Sequence, residues 1–203
     1  MNRQEAALLT PRFVDALAYA MAAHGDQTRK GGDIPYVSHL LGVASLVLEA
    51  GGDEDMAIAG LLHDTIEDTD TTAVDIEHRF GRRVAFIVVG CTDTDEHPKP
   101  PWRPRKERYI THLVAASTPR DVLAVSLADK LHNARSLLAD YRQHGEEVAR
   151  RFNAGPAEQL WYYETLAGVF QARMPGPMTN EFRHTVDQLR DEIGRHGPPR
   201  PRP

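Results

Sequence analysis

Between Pro35 and Gly51 the chain carries Leu40, Leu41, Val43, Ala44, Leu46, Val47 and Leu48, apolar residues that fall on nearly every side of a helix. A helix without a solvent face must be wrapped by other elements, so this stretch predicts a central core helix. Its neighbours show helical spacing too. Phe13, Leu17, Ala20, Met21 and Ala23 predict an amphipathic helix, opened by Thr10-Pro11 and stopped near Gly25, and Gly31-Gly32-Asp33 read as a turn. Asp53 is placed to cap a helix carrying Met56, Ile58, Ala59, Leu61 and Leu62, and Asp70-Thr71-Thr72 to open one carrying Val74, Ile76 and Phe80. Another covers 83–91. The stretch DTDEHPKPPWRP (93–104) holds four prolines, which predict a surface loop. Helical spacing returns over 105–116, 119–141, 156–173 and 179–195. No segment alternates in polarity as a strand does. The expectation is an all-α, single-domain bundle of about eight to ten helices over residues 1–195, with 196–203 a Pro/Arg-rich disordered tail.

Composition limits what such a bundle does. The 203 residues have a net charge of -5, which gives no global basic field for a long nucleic acid. An anionic small molecule remains open, provided that a local positive site exists. No apolar run approaches the roughly 20 residues that cross a bilayer, and residues 1–13 lack the apolar segment of a secretory signal. The expected setting is cytoplasmic, without membrane attachment. The one cysteine, Cys91, excludes a Cys-rich zinc site and reads as a small buried hydrophobe. Of ten histidines, His78, His97, His112, His144, His184 and His196 sit among polar neighbours and read as solvated. His39 and His63 do not, and His24 and His132 invite attention.

In GLLHDTIEDT (60–69) ionisable groups follow directly on a core-facing apolar run. Buried polar groups need compensation, at about 1–3 kcal/mol each when unpaired. The following turn adds only acids. On a continuous helix Glu67 lies i+4 from His63, and Asp68 lies i+4 from Asp64, so negative charge accumulates on one side. Taken alone, His63-Asp64 reads as a satisfied core hydrogen bond beside a solvated helix end. Two other apolar helices alter that reading, because one delivers His39 and the other Asp129 at positions that are otherwise buried. Two imidazoles and two carboxylates suit a divalent ion such as Mn²⁺, Fe²⁺, Zn²⁺ or Mg²⁺.

Four blocks occur in order: HGDQTRK (24–30), PYVSH (35–39), LLHDTIEDT (61–69) and SLADKLHNAR (126–135). In this order they resemble the HD-domain superfamily, and within it the hydrolase domain of RelA/SpoT-type alarmone enzymes. The resemblance covers roughly residues 14–138. It is strongest to the small stand-alone hydrolases, such as the metazoan SpoT homologues, since this length leaves no room for a synthetase domain.

The resemblance implies an HD-type helical bundle and a Mn²⁺-dependent enzyme. Such an enzyme removes the 3′-pyrophosphate of (p)ppGpp, a small anionic nucleotide, leaving GDP or GTP. Carried over by position, His39, His63, Asp64 and Asp129 would be metal ligands, and Glu67 and Asp68 the acidic pair that handles water. Arg29, with Lys30 beside it, would meet the pyrophosphate; Asn133 and Ser136 would contact the nucleoside. Two departures stand out. Leu40 replaces a frequent proline, and the 93–106 segment lacks the expected run of lysines. In that segment Lys99, Trp102, Arg103, Arg105 and Lys106 form either a substrate-facing lid or a solvated connection. Two alternatives stay open: an HD phosphohydrolase for another nucleotide or NADPH, and a non-catalytic nucleotide sensor.

Overall fold

The computed structural model describes residues 9–96, 98–145, 147–148 and 154–196, so His97 and the 197–203 part of the tail lie outside it. The described chain is helical, in the order α1 (Pro11–His24), α2 (Val37–Glu49), α3 (Glu54–Leu62), α4 (Thr65–Asp68), α5 (Ala73–Phe80), α6 (Arg82–Cys91), α7 (Trp102–Val114), α8 (Arg120–His144), α9 (Pro156–Arg173) and α10 (Pro177–His196). The extended pairing among the described residues is a single antiparallel bridge between Thr28 and Pro35. No helix there is long and apolar enough to cross a membrane.

Local chemistry sets the helix starts. Thr10 accepts from the Arg12 amide at the head of α1, and Asp53 accepts from the Met56 amide at 3.1 Å at the head of α3. Thr72 and Asp75 form a reciprocal capping box that opens α5. The expected loop over 93–104 ends sooner than its prolines imply, because α7 begins at Trp102. Pro104 falls in its first turn, where no intrahelical partner awaits an amide N–H.

The core forms where α2, α3 and the first half of α8 meet. Leu40, Val43, Val47, Ile58, Leu61, Leu62, Val125 and Leu131 are buried there, and α6 closes one side with Val84, Ile87 and Val88. The helix α2 is apolar on nearly every side, as expected, the exception being where Leu41 is 43% exposed and Ser45 faces solvent. A narrow strip of α2 therefore reaches the surface. A second cluster joins Leu137, Leu138 and Tyr141 of α8 to Val148 and to Leu189 of α10. The α7–α8 corner is tied to α9 by Arg173, whose guanidinium donates to the carbonyls of Leu113, Val114, Ala115 and Thr118. It thereby satisfies acceptors that a helix end leaves without partners.

Cys91 is buried, with its thiol pushed up to about 11 by burial. His78, His112 and His184 are exposed and His144 is half-buried. Ile58 is fully buried where α2 and α3 meet. Ile58→Ala is expected to lower unfolding free energy by about 2–5 kcal/mol, read as a lower urea midpoint with an unchanged slope.

Candidate metal centre

Helix α3 ends at Leu62, and His63 and Asp64 form a turn before α4. This corrects the expectation of a continuous helix through His63 and Asp64. The Asp68 amide bonds the Asp64 carbonyl at 2.9 Å, so the i+4 spacing holds for that pair, but it does not carry across His63. The turn is held by the Thr65 hydroxyl, which donates to the Leu62 carbonyl at 2.7 Å. Gly60 lets α3 approach α2 closely, since a Cβ there would lie 3.3 Å from the Ala44 Cα. That approach brings the His39 and His63 rings to 5.1 Å between centroids.

His39, His63 and Asp129 are buried, and each offers a donor atom within 4.8 Å of the other two. Nε2 of His39 lies 3.2 Å from Nε2 of His63 and 3.3 Å from Oδ1 of Asp129. Nε2 of His63 lies 3.6 Å from that same oxygen. Asp64 joins from the more open side, its Oδ2 2.9 Å from the His63 nitrogen and 3.6 Å from that of His39. Donors about 2.0–2.2 Å from one ion stand about 3 Å apart when at right angles, so these separations match the edges of a coordination shell.

Proton placement strengthens the fit. Nδ1 of His63 lies 2.9 Å from the Gly60 carbonyl, which only accepts, so Nδ1 carries a proton. The lone pair of neutral His63 is then Nε2, aimed at the cluster. Two such nitrogens facing each other in an apolar core repel unless a cation or a proton sits between them. The side chains therefore fit a divalent ion of borderline character. Around them, Lys130 donates to Oδ2 of Asp129 at 2.5 Å, Tyr36 donates to Oδ2 of Asp64, and Nδ1 of His132 lies 2.9 Å from Nδ1 of His39.

The four residues of the cluster and the acidic pair come to the same end of the fold, but the acids are not left without basic partners. Lys99 bonds Oδ1 of Asp68 at 2.6 Å and Oε1 of Glu67 at 3.0 Å, and Arg105 bonds Glu67 at 3.2 Å. The expected one-sided accumulation of negative charge is corrected: lysine and arginine come from the 93–106 segment, more than 30 positions away. That segment divides its tasks. Trp102 and Arg103 pack on α9, with the Arg103 guanidinium 3.3 Å from the Trp161 ring centre, while Arg105 and Lys106 both bond Asp93.

Arg29 reaches the centre through the turn after α1. The Arg29 and Tyr36 amides donate to the Ile34 and Gln27 carbonyls, flanking the Thr28–Pro35 bridge. Its guanidinium donates to Oδ1 of Asn133 at 2.9 Å, and Nδ2 of Asn133 donates to Oδ1 of Asp129 at 2.5 Å. Lys30 is exposed beside it, and Ser136 is half-buried one turn beyond Asn133. Among the described residues neither is hydrogen-bonded to the cluster. His24 bonds Gln27 at 2.7 Å in the same turn. Tyr36, Lys130 and His132 are partners of the cluster whose roles the sequence does not reveal, although Tyr36 stands i-3 from His39 and Lys130 adjoins Asp129.

An HD-domain family model matches residues 16–154, which span every element that contributes to this cluster. The chain belongs to the HD-domain family. Within the family it is similar to a guanosine-3′,5′-bis(diphosphate) 3′-pyrophosphohydrolase of Aquifex aeolicus, 38% identical over 135 residues, 66% of this chain and 19% of that protein. It is 41% identical over 128 residues to the Xenopus tropicalis protein of the same name, MESH1, covering 62% of this chain and 69% of that one. The chain thus spans less than a fifth of the length of the Aquifex protein and of similar relatives from Synechocystis and Streptomyces coelicolor. A solved structure, a metazoan orthologue of SpoT described as hydrolysing ppGpp, superposes with a TM-score of 0.65 at 26% identity. The match covers 93% of this chain and 94% of that one.

Charge within the cluster predicts a pH response. Burial opposes protonation of His63, but Asp64 and Asp129 outweigh it and hold the imidazole well above its ordinary 6.5. Burial likewise opposes ionisation of Asp64 and Asp129. His63 on Asp64, and Lys130 on Asp129, lead the interactions that hold both well below 3.8. The His63 contribution to stability is full below 6.5 and is lost as pH rises through the raised value; the carboxylate contribution is full above 3.8 and is lost as pH falls through the lowered values. Protein stripped of metal is therefore expected to be most stable between those two pH values and to weaken toward alkaline pH. A divalent ion must displace the His63 proton, so its affinity rises with pH. Thermal midpoints against pH, with and without Mn²⁺, check both trends.

Proposed function

We propose that this chain is a metal-dependent phosphohydrolase that removes the 3′-pyrophosphate of (p)ppGpp, leaving GDP or GTP. The observation that carries this reading is the convergence of two imidazole Nε2 atoms and two carboxylates beside the Glu67-Asp68 turn. The names of the relatives point to the same reaction. His39, His63, Asp64 and Asp129 would hold the ion, taken to be Mn²⁺. Bound there, a divalent cation supplies Lewis acidity that eases deprotonation of water and draws charge from a phosphoryl oxygen.

The chain's own groups supply the rest. Glu67 and Asp68 accept the proton of the attacking water, whose oxygen bonds to the phosphorus next to O3′. The bond from that phosphorus to O3′ breaks, and O3′ leaves as a hydroxyl after taking up a proton. Arg29 and Lys30 meet the anionic pyrophosphate, and Asn133 and Ser136 orient the nucleoside. Lys99 already bonds both acids, so it sets the position from which they act. A nucleotide substrate and a lone buried thiol support a cytoplasmic setting.

Incubation of Mn²⁺-loaded protein with ppGpp, NADPH and a nucleotide panel tests the reading by product identity. Pyrophosphate together with GDP is the expected outcome, and orthophosphate released from NADPH alone would overturn the substrate assignment. Nucleotide binding without any turnover would favour a sensor. Glu67→Gln is expected to lower kcat by about 100- to 10,000-fold with metal affinity retained. Asp64→Asn should instead lose the metal. Lys99→Met is a third diagnostic, since its partly exposed ion pairs stabilise the fold by only about 0–1 kcal/mol. Its effect should appear in kcat rather than in the thermal midpoint.

A further inference from the structure

His39 uses both of its ring nitrogens. Nε2 faces His63, Asp64 and Asp129, while Nδ1 meets a second ring nitrogen, Nδ1 of His132, at 2.9 Å. One of those two Nδ1 atoms must donate and the other accept. If His132 donated, neutral His39 would have to carry its own proton on Nε2, which would close the lone pair that faces the cluster. If His39 donates, Nε2 is open, and His132 must keep its proton on its own Nε2. Only the second arrangement is compatible with a metal ligand.

The place of His132 is built into the helix packing. Its ring lies against Gly42 of α2, where a Cβ would stand 2.3 Å from both Cδ2 and Nε2 of the imidazole and 3.3 Å from Cγ. Any larger residue there would have to displace the ring. Glycine is among the poorest helix formers, yet α2 carries one in its interior, three positions beyond His39. On α8, His132 stands three positions beyond Asp129. Each helix thus presents one donor to the cluster and, nearly one turn later, one half of the support. The two imidazoles sit with ring centres 4.8 Å apart, tilted by 55°.

We propose that His132, seated against Gly42, is a positioning residue that accepts the Nδ1 proton of His39 and so leaves His39 Nε2 open to the metal. The inference rests on the metal reading above, and goes beyond it by assigning a tautomer and the residue that fixes it. An outer partner of this kind typically contributes 10- to 100-fold in metal affinity.

The test uses the full chain as wild type, His132→Phe, His132→Asn and Gly42→Ala. The phenylalanine keeps the packing but removes the acceptor, whereas the asparagine amide oxygen restores one. Mn²⁺ affinity is read from the electron paramagnetic resonance signal of free ion. The His39 tautomer is read by long-range ¹H–¹⁵N imidazole spectra of Zn²⁺-loaded protein. His132→Phe is expected to bind Mn²⁺ about 10- to 100-fold more weakly, His132→Asn to recover most of that loss, and Gly42→Ala to resemble the phenylalanine variant. The wild-type spectrum should place the His39 proton on Nδ1. Wild-type affinity in His132→Phe, or a His39 proton on Nε2, would overturn the proposal even if that variant folds poorly, because the spectrum needs only wild-type protein. Failure of the asparagine to rescue, with its fold intact, would reduce His132 to a packing residue and overturn it as well. A wild type that binds no divalent ion would remove the metal reading itself, an outcome distinct from all of these.

Discussion

Two imidazole nitrogens face each other across 3.2 Å inside an apolar core, with two carboxylates beside them. Much of the surrounding architecture follows from holding that arrangement together. Without a positive charge at its centre the cluster is repulsive, and with one it becomes a cross-link between α2, the end of α3 and α8. Packing alone would press these helices together through Leu40, Val43, Ile58, Leu61, Val125 and Leu131. The polar cluster adds what apolar contacts lack, which is a fixed rotation of each helix about its axis. His39, His63 and Asp129 meet only if all three helices present the correct face.

Charge is arranged around the centre as carefully as volume. Lys130 covers the outer oxygen of Asp129, Lys106 and Arg105 share Asp93, and Arg105 and Lys99 cover Glu67 and Asp68. Four acids thus meet four bases, Asp129 with Lys130 as one pair and the other six groups as a connected network. Buried or half-buried charges are tolerated when each has such a partner, and removing one partner is costly. With His63 neutral, as metal binding requires, this balance leaves Asp64 as the carboxylate of the cluster without a lysine or arginine partner. A divalent ion would therefore turn the site net positive, with Arg29 and Lys30 adding to it from the turn after α1. A chain of net charge -5 would in this way offer an anionic ligand a local field of the opposite sign.

The helices and the cluster were legible in the sequence for different reasons. Helix α9 was expected over 156–173 and occupies Pro156–Arg173, because its apolar spacing and opening proline are local signals. His39, His63, Asp64 and Asp129 stood out because each interrupts an apolar run. The interruption of α3 at His63 was not legible, since the glycine of GLLHDTIEDT, Gly60, lies inside α3 rather than at the break. The break depends on the Thr65 hydroxyl bonding back to Leu62 and on tertiary contacts of the two ionisable side chains. The partners of Glu67 and Asp68 were hidden for a similar reason. Lys99 lies 31 positions from Asp68, in a proline-rich stretch with no period to reveal where it points. His132 was hidden because its role depends on the absence of a side chain at position 42 of another helix.

Helix α8 concentrates these dependencies. Asp129, His132, Asn133 and Ser136 stand at i, i+3, i+4 and i+7, so one face of one helix carries a cluster donor, its support and the residues proposed to meet substrate. A small rotation or slide of α8 would disturb all of them together. Its 25 residues extend about 37 Å, well past the site, and the far half is held by Leu137, Leu138 and Tyr141 against α10. Arg135 and Arg142 add ion-pair and hydrogen-bond contacts to Glu181 and Gln188 on that helix. Among the described residues, the C-terminal helices contribute no donor to the cluster. By fixing the register and rotation of α8, they set the separation between Asp129 and the two imidazoles on the other side of the core.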